Sequence, residues 1–234
     1  MVSLRTQTGI KTLDEALDGG LRHGSLCLVM GPALSGREVL AQQFFYSGLE
    51  LGEACTYVTT KSFHTEIIDM MTEKGWNMAG HEDRYMIIDT YTPQSDPSVQ
   101  DLPQVKFVPS LADFAKLSNC IVSTMSDYLT KGIYQQRISF DSIDTMLMYV
   151  SPAGVYRFLS YLRAKIKGFK ATGFFLIDPA LHEEKDLRTI MQLADVVIEL
   201  KPSSEEILIT QLGLPRKNAK YAITNEGVEV TIKI

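Results

Sequence analysis

Leu26-Cys27-Leu28-Val29-Met30-Gly31-Pro32-Ala33-Leu34-Ser35-Gly36-Arg37-Glu38 is a short apolar run that breaks at one glycine and resumes, after a second, as a charged and then amphipathic segment. An apolar run of this length ending in Gly-Pro reads as a buried strand followed by a turn. Beyond the turn, Ala41, Phe44, Phe45, Gly48 and Leu49 recur at i, i+3, i+4, i+7 and i+8. That spacing predicts a helix that buries one face and stops near Gly52. Residues 54–59 (Ala-Cys-Thr-Tyr-Val-Thr) then predict a second strand. Strand, turn, helix and strand in this order begin an α/β domain with a parallel sheet.

The turn has the spacing of a phosphate-binding loop, G-x-x-x-x-G-K-[ST], in which backbone N–H groups curl round a phosphate, the Lys reaches the outer phosphates and the hydroxyl holds Mg²⁺. The candidate nucleotide-binding residues are Gly31, Pro32, Ala33, Leu34, Ser35, Gly36, Arg37 and Glu38, with Arg in place of Lys and Glu in place of the hydroxyl residue. Arg37 keeps the positive charge but presents a longer, planar fork. Glu38 brings a carboxylate into a cradle built for anions. Its options are to repel phosphate, to pair with Arg37, or to bind a metal directly. A pair with Arg37 would leave the cradle filled from within.

With 234 residues, 45% hydrophobic and 22% charged, the chain is long enough for one large α/β domain, and no linker divides it, so residues 1–234 are read as a single domain. No apolar run reaches the roughly 18–20 residues of a membrane-spanning helix, and no signal-peptide pattern opens the chain; a cytoplasmic protein without membrane contact is expected. Cys27, Cys55 and Cys120 lack C-x-x-C spacing, which predicts buried thiols and no metal site. The net charge of −5 argues against stand-alone nonspecific nucleic-acid binding and leaves nucleic acid as a partner only within a complex.

Thr8-Gly9-Ile10-Lys11-Thr12-Leu13-Asp14-Glu15-Ala16-Leu17-Asp18-Gly19-Gly20-Leu21-Arg22-His23-Gly24-Ser25 leads straight into the first strand. Leu13 and Leu17 lie one helical turn apart and predict a short helix packed on the core, with Gly19, Gly20 and Gly24 as turns. The string T-G-I-x-x-L-D-E-x-L-x-G-G-L-x-x-G-S, followed at once by a P-loop-like turn, resembles the opening of the RecA-superfamily branch that includes KaiC-like and archaeal RadA-like ATPase domains. The resemblance runs from Thr8 to about Val230. It implies a RecA-like, mostly parallel sheet with helices on both faces and, from the alternating residues 206–211, 220–224 and 227–234 with an Asn225-Glu226-Gly227 turn, an antiparallel hairpin edge.

The same resemblance assigns roles along the chain. In the family the second strand ends in an acidic pair, one member of which activates the attacking water; Lys61-Ser62 stands there instead. Arg137-Ile138-Ser139-Phe140-Asp141-Ser142 resembles the second acidic motif, which makes Asp141, at a strand end facing the crevice, a Mg²⁺-holding type of residue. Residues 172–178 read as a nearly continuous apolar strand whose end, Asp178-Pro179, is again at the crevice. The family's trans-acting K-x-R-G segment corresponds to Thr210-Gln211-Leu212-Gly213, with Arg216 and Lys217 shortly after. Residues 92–110, with four prolines, read as a surface excursion before a core helix over about 111–129.

Loss of a general base costs about 10²- to 10⁴-fold, and loss of a trans cation about 10³- to 10⁵-fold. The joint changes imply a noncatalytic or very weakly active homologue, with no catalytic residue and no metal, acting in regulation through a protein partner or self-association. Residual binding of ATP or ADP, with or without Mg²⁺, through Gly31 to Arg37 belongs to this reading. Two alternatives stand beside it. One is an accessory recombinase paralogue that supports a RadA-like protein in DNA repair; the other is a slow ATPase using Arg37 and Glu38 as an atypical site.

Overall fold

Period-2 alternation within buried strands decides which helices cover which face. The computed structural model describes residues 5–231. In chain order they form β1 (Arg5–Thr6), α1 (Lys11–Ala16), β2 (Leu21–Arg22), β3 (Leu26–Met30), α2 (Arg37–Glu50), β4 (Ala54–Thr59), α3 (His64–Glu73), β5 (Tyr85–Asp89), α4 (Thr92–Ser95) and β6 (Val105–Phe107). The second half comprises α5 (Phe114–Thr130), β7 (Gln136–Asp141), α6 (Ile143–Tyr149), α7 (Pro152–Phe169), β8 (Thr172–Ile177), α8 (Glu184–Met191), β9 (Val196–Lys201), β10 (Glu206–Gln211), β11 (Lys217–Thr224) and β12 (Gly227–Thr231).

Among the described residues the main sheet has ten strands in the order β12-β11-β10-β9-β3-β8-β7-β4-β5-β6. From β9 to β6 neighbours run parallel, and β10, β11 and β12 close the other edge as an antiparallel meander. Leu26, Leu28 and Met30 of β3, with Phe175 and Ile177 of β8, face a core shared with α5, α6, α7 and α8. Cys27, Val29, Phe174 and Leu176 face the opposite core, under α1 and α2. Both faces are covered, which is why these strands read as continuous apolar runs rather than alternating ones. The RecA-like arrangement expected from the sequence is the one observed.

Several local expectations hold. Leu13 and Leu17 are fully buried at α1. The β11–β12 hairpin turns at Asn225-Glu226. Other elements differ. Helix α2 also buries Gln42, which reaches Met70 of α3, and Arg37, which is held by Glu38 and Asp144. The excursion of residues 92–110 is not wholly irregular: it holds α4 and contributes β6, the edge strand, which pairs with β5. β11 begins at Lys217, earlier than the alternation suggested, and residues 232–234 of the expected last strand lie outside the described residues.

Candidate functional site

The loop between β3 and α2 sits at the C-terminal ends of the parallel strands, where β4, β7 and β8 also deliver their last residues. Its glycines have packing reasons. Gly36 is in the left-handed region at φ 88°, and a Cβ there would stand 2.8 Å from Ile223 of β11. A Cβ on Gly31 would meet the Ser35 hydroxyl at 2.5 Å. The Tyr221 hydroxyl donates to Ser35 O at 3.0 Å, so the C-terminal meander braces the loop from behind. Leu34 is the loop's outermost residue, 92% exposed at φ 63°.

Three loop N–H groups are already engaged within the chain. Gly31 donates to Ile177 O at 3.2 Å, Ser35 to Pro32 O at 3.2 Å, and Ala33 to the carboxylate of Asp178 at 3.1 Å. An internal anion therefore holds one of the donors that a phosphate-binding loop would turn towards its ligand.

The side chains extend this closure. Arg37, buried in the first turn of α2, places Nε 3.0 Å from Glu38 Oε1 and Nη2 3.1 Å from Asp144 Oδ2. The other Asp144 oxygen contacts His182 Nε2 at 2.9 Å and accepts the Asp178 N–H at 2.7 Å. Lys61, just past β4, lies 2.7 Å from Glu38 Oε1 and 3.1 Å from Asp141 Oδ1. Asp141 also accepts the Tyr57 hydroxyl at 3.1 Å. Two cations, Arg37 and Lys61, thus face four carboxylates, Glu38, Asp141, Asp144 and Asp178.

Burial disfavours charge on Arg37, Lys61, Glu38 and Asp141, and their partners reverse the outcome selectively. Burial would lower the Arg37 and Lys61 pKa values, but Asp144 and Glu38 raise the first, and Asp141 and Glu38 the second, above ordinary values. Burial would raise the Glu38 carboxyl, yet Lys61 and then Arg37 outweigh it and hold Glu38 below its usual range. Asp141 is deeper, and there burial prevails over Lys61, leaving its pKa raised. Burial, then Asp141, pushes the Tyr57 hydroxyl well up.

Because the folded Glu38 pKa is depressed, its stabilisation is complete above the unfolded carboxyl pKa and disappears as pH falls through the folded one. Glu38→Gln is therefore expected to lower stability at pH 7 by about 1 kcal/mol, roughly 2–4 °C in Tm. The deficit should shrink towards zero below about pH 4, in parallel thermal melts of variant and wild type.

Of the residues singled out in the sequence, the structure brings together Arg37, Glu38, Lys61, Asp141 and Asp178. It does not bring in Arg216 and Lys217: Arg216 pairs with Glu199 at 3.2 Å and Lys217 with Asp18 at 2.8 Å. Asp144, His182 and Tyr57 are members that sequence reasoning missed. Asp144 alone carried a signal, lying in the first turn of the helix that follows Asp141. Cys27 and Cys55 are buried free thiols, and Cys120 is half-buried.

The cradle can be tested against the groups the motif implies. For phosphate, both cations are taken and the formal balance is −2 with all six groups ionised. Arg37 Nη1 and Ser35 Oγ have no hydrogen-bond partner among the described residues, and both are closed off from solvent. For a divalent cation, the space between Glu38 and Asp141 holds the Lys61 ammonium. As arranged, the loop offers a phosphate no unpaired cation, and the position a divalent cation would take between Glu38 and Asp141 is filled by Lys61.

Fold and loop position together define a RecA-type P-loop ATPase domain, and the chain belongs to the KaiC ATPase family, whose description "ATPase: KaiC" matches residues 6–233. Among similar proteins, a UPF0273 protein of Pyrococcus furiosus is 25% identical over 239 residues, covering 97% of this chain and 93% of that one. A UPF0273 protein of Methanocaldococcus jannaschii is 25% identical over 240 residues, covering 97% and 96%. One from Thermotoga maritima is 25% identical over 182 residues, covering 77% and 72%.

Proposed function

We propose that this chain is a non-hydrolysing member of the KaiC ATPase family, with a degenerate P-loop kept as scaffold, and that it works through contacts with a protein partner. The observation that carries the reading is the Arg37–Glu38 pair at 3.0 Å, which places a side-chain carboxylate on the loop's own cation. Displacing it would require a phosphate to compete with an anion that is covalently held at the site. Lys61 stands where the family's general base is expected, so no carboxylate is offered at the end of β4 to activate water. The partner reading draws on the rim above the site: Leu34, Met148, Tyr149 and Leu181, on the segments that follow β3, β7 and β8, are between 55% and 92% exposed. Large apolar side chains left exposed on three segments that follow the strand ends favour a protein contact there.

Calorimetric titration with ATP and ADP, with and without Mg²⁺, tests this reading. No heat at millimolar nucleotide is expected for the wild type and for Arg37→Ala alike. Micromolar binding lost in Arg37→Ala would overturn the closed cradle, and turnover that vanishes in Asp141→Ala would turn the assignment to a slow ATPase.

A further inference from the structure

A divalent cation in a P-loop site is held between the loop's hydroxyl residue and the Asp at the end of a neighbouring strand. In this chain the residues at those places are Glu38 and Asp141. Between them lies the ammonium of Lys61, 2.7 Å from a Glu38 oxygen and 3.1 Å from an Asp141 oxygen. The side chain reaches this point from the end of β4, and its own charge is favoured there, since both carboxylates together outweigh the cost of burial. We propose that Lys61 is a resident cation standing in for a divalent metal, so that Glu38 and Lys61 are mutually compensating residues that close the crevice against metal ions. The proposal rests on the closed-site reading above and deepens it, from an ammonium that fills the metal position to an amine whose removal would open that position to metal.

The physical argument is one of reciprocal need. Without Lys61, Glu38 and Asp141 would set two carboxylates around a single point in a partly buried crevice, and like charges in that setting repel strongly. Without Glu38, Lys61 would lose its shortest contact. Together the ammonium and the two carboxylates form a bridge in which one anion is already balanced and the point between them is filled without an ion from solution. Oxygen ligands of this kind suit Mg²⁺ and Mn²⁺, which are often held by one or two carboxylates with water completing the shell. Among the described residues no group of three or more His, Cys, Asp or Glu side chains converges to hold a metal; Glu38 and Asp141 are instead a pair whose oxygens meet at one point, the Lys61 ammonium.

The consequence is a latent metal site, opened by removing one amine. In calorimetry and thermal melts with MnCl₂ and no nucleotide, the wild type and Lys61→Arg should show neither heat nor a shift in Tm at millimolar metal. Lys61→Ala and Lys61→Gln should each bind Mn²⁺ at least about 100-fold more tightly than the wild type, and the gain should vanish when Asp141→Asn is added. Circular dichroism establishes which variants are folded. Mn²⁺ binding by the wild type at the affinity of Lys61→Ala would overturn the proposal, as would folded Lys61→Ala and Lys61→Gln proteins that both ignore millimolar Mn²⁺. The wild-type arm decides even if neither variant folds, because stoichiometric metal binding there contradicts a resident ammonium. Nucleotide is absent throughout, so a wild type that bound ATP would refute the closed phosphate cradle without touching this result.

Discussion

A protein carrying Arg37→Lys and Glu38→Thr together is expected to bind ATP at least about 30-fold more tightly than the wild type. Two changes act in the same direction. Removing the Glu38 carboxylate takes away a like charge beside the incoming phosphate, worth about 1–4 kcal/mol at 4 Å between the dielectric limits of water and a protein surface. It also releases the cation at position 37 from its 3.0 Å partner, and a freed cation contributes a similar amount. Each 1.4 kcal/mol is tenfold in affinity. Lys in place of Arg supplies a compact ammonium with rotatable donors, better matched to a phosphate in a tight loop. Because Lys61 would still contact Asp141 in this variant, the new affinity should be indifferent to Mg²⁺; adding Lys61→Ala should make it Mg²⁺-dependent. Turnover should stay at background in both, since neither change restores a carboxylate to the end of β4. Calorimetry reads all of these. No gain in the double variant would mean that Asp144 and Asp178 close the loop without Glu38, and the Arg37–Glu38 pair would then be a bystander.

How far the sequence reveals this site depends on the range of each contact. The strand–turn–helix unit was legible because its signals are local: an apolar run, two glycines at fixed spacing and a helical stripe. Glu38 beside Arg37 was legible for the same reason, and pairing was one of three options open to it. Lys61 could be seen to displace an acid, but its bridging position could not, because it depends on β4 and β7 lying side by side with Thr59 opposite Asp141. Asp144 was hidden more deeply. Its partners Arg37 and His182 come from α2 and from the segment after β8, and only the sheet order brings them together. The glycines were legible as turn formers, whereas the side chain that makes Gly36 necessary, Ile223, arrives from the meander at the far end of the chain.

Arg137→Ala should be among the most destabilising single substitutions in this protein, for reasons that begin with the same strand. On β7 the alternation places Ile138 and Phe140 in one core and sends Arg137, Ser139 and Asp141 towards α2. Arg137 is 1% exposed, with Nε 2.7 Å from Glu53 Oε2, Nη1 donating to Phe44 O at 2.7 Å, and its guanidinium 4.7 Å from the centre of the Phe44 ring. Gly48 makes the space: a Cβ there would stand 2.5 Å from the Arg137 side chain. Truncation would leave Glu53 buried and unpaired and strip a carbonyl of its donor, at a cost of about 3–5 kcal/mol. That corresponds to a fall in Tm of roughly 6–20 °C for a chain of this size. Replacing both partners by leucine should cost far less, since desolvating two charges offsets most of what their attraction returns, and Arg137 Nη2 already lacks a partner among the described residues. Denaturant melts of the single and double variants test this, and a single variant within about 1 kcal/mol of wild type would show that the pair contributes little. The contrast with Asp141, two residues along on the same face, is instructive. Arg137 is locked by groups that belong to the core, whereas Asp141 is held by Lys61 at the solvent end of the same seam. Substitutions at the crevice should therefore alter what the protein binds while the Arg137 end keeps the fold intact.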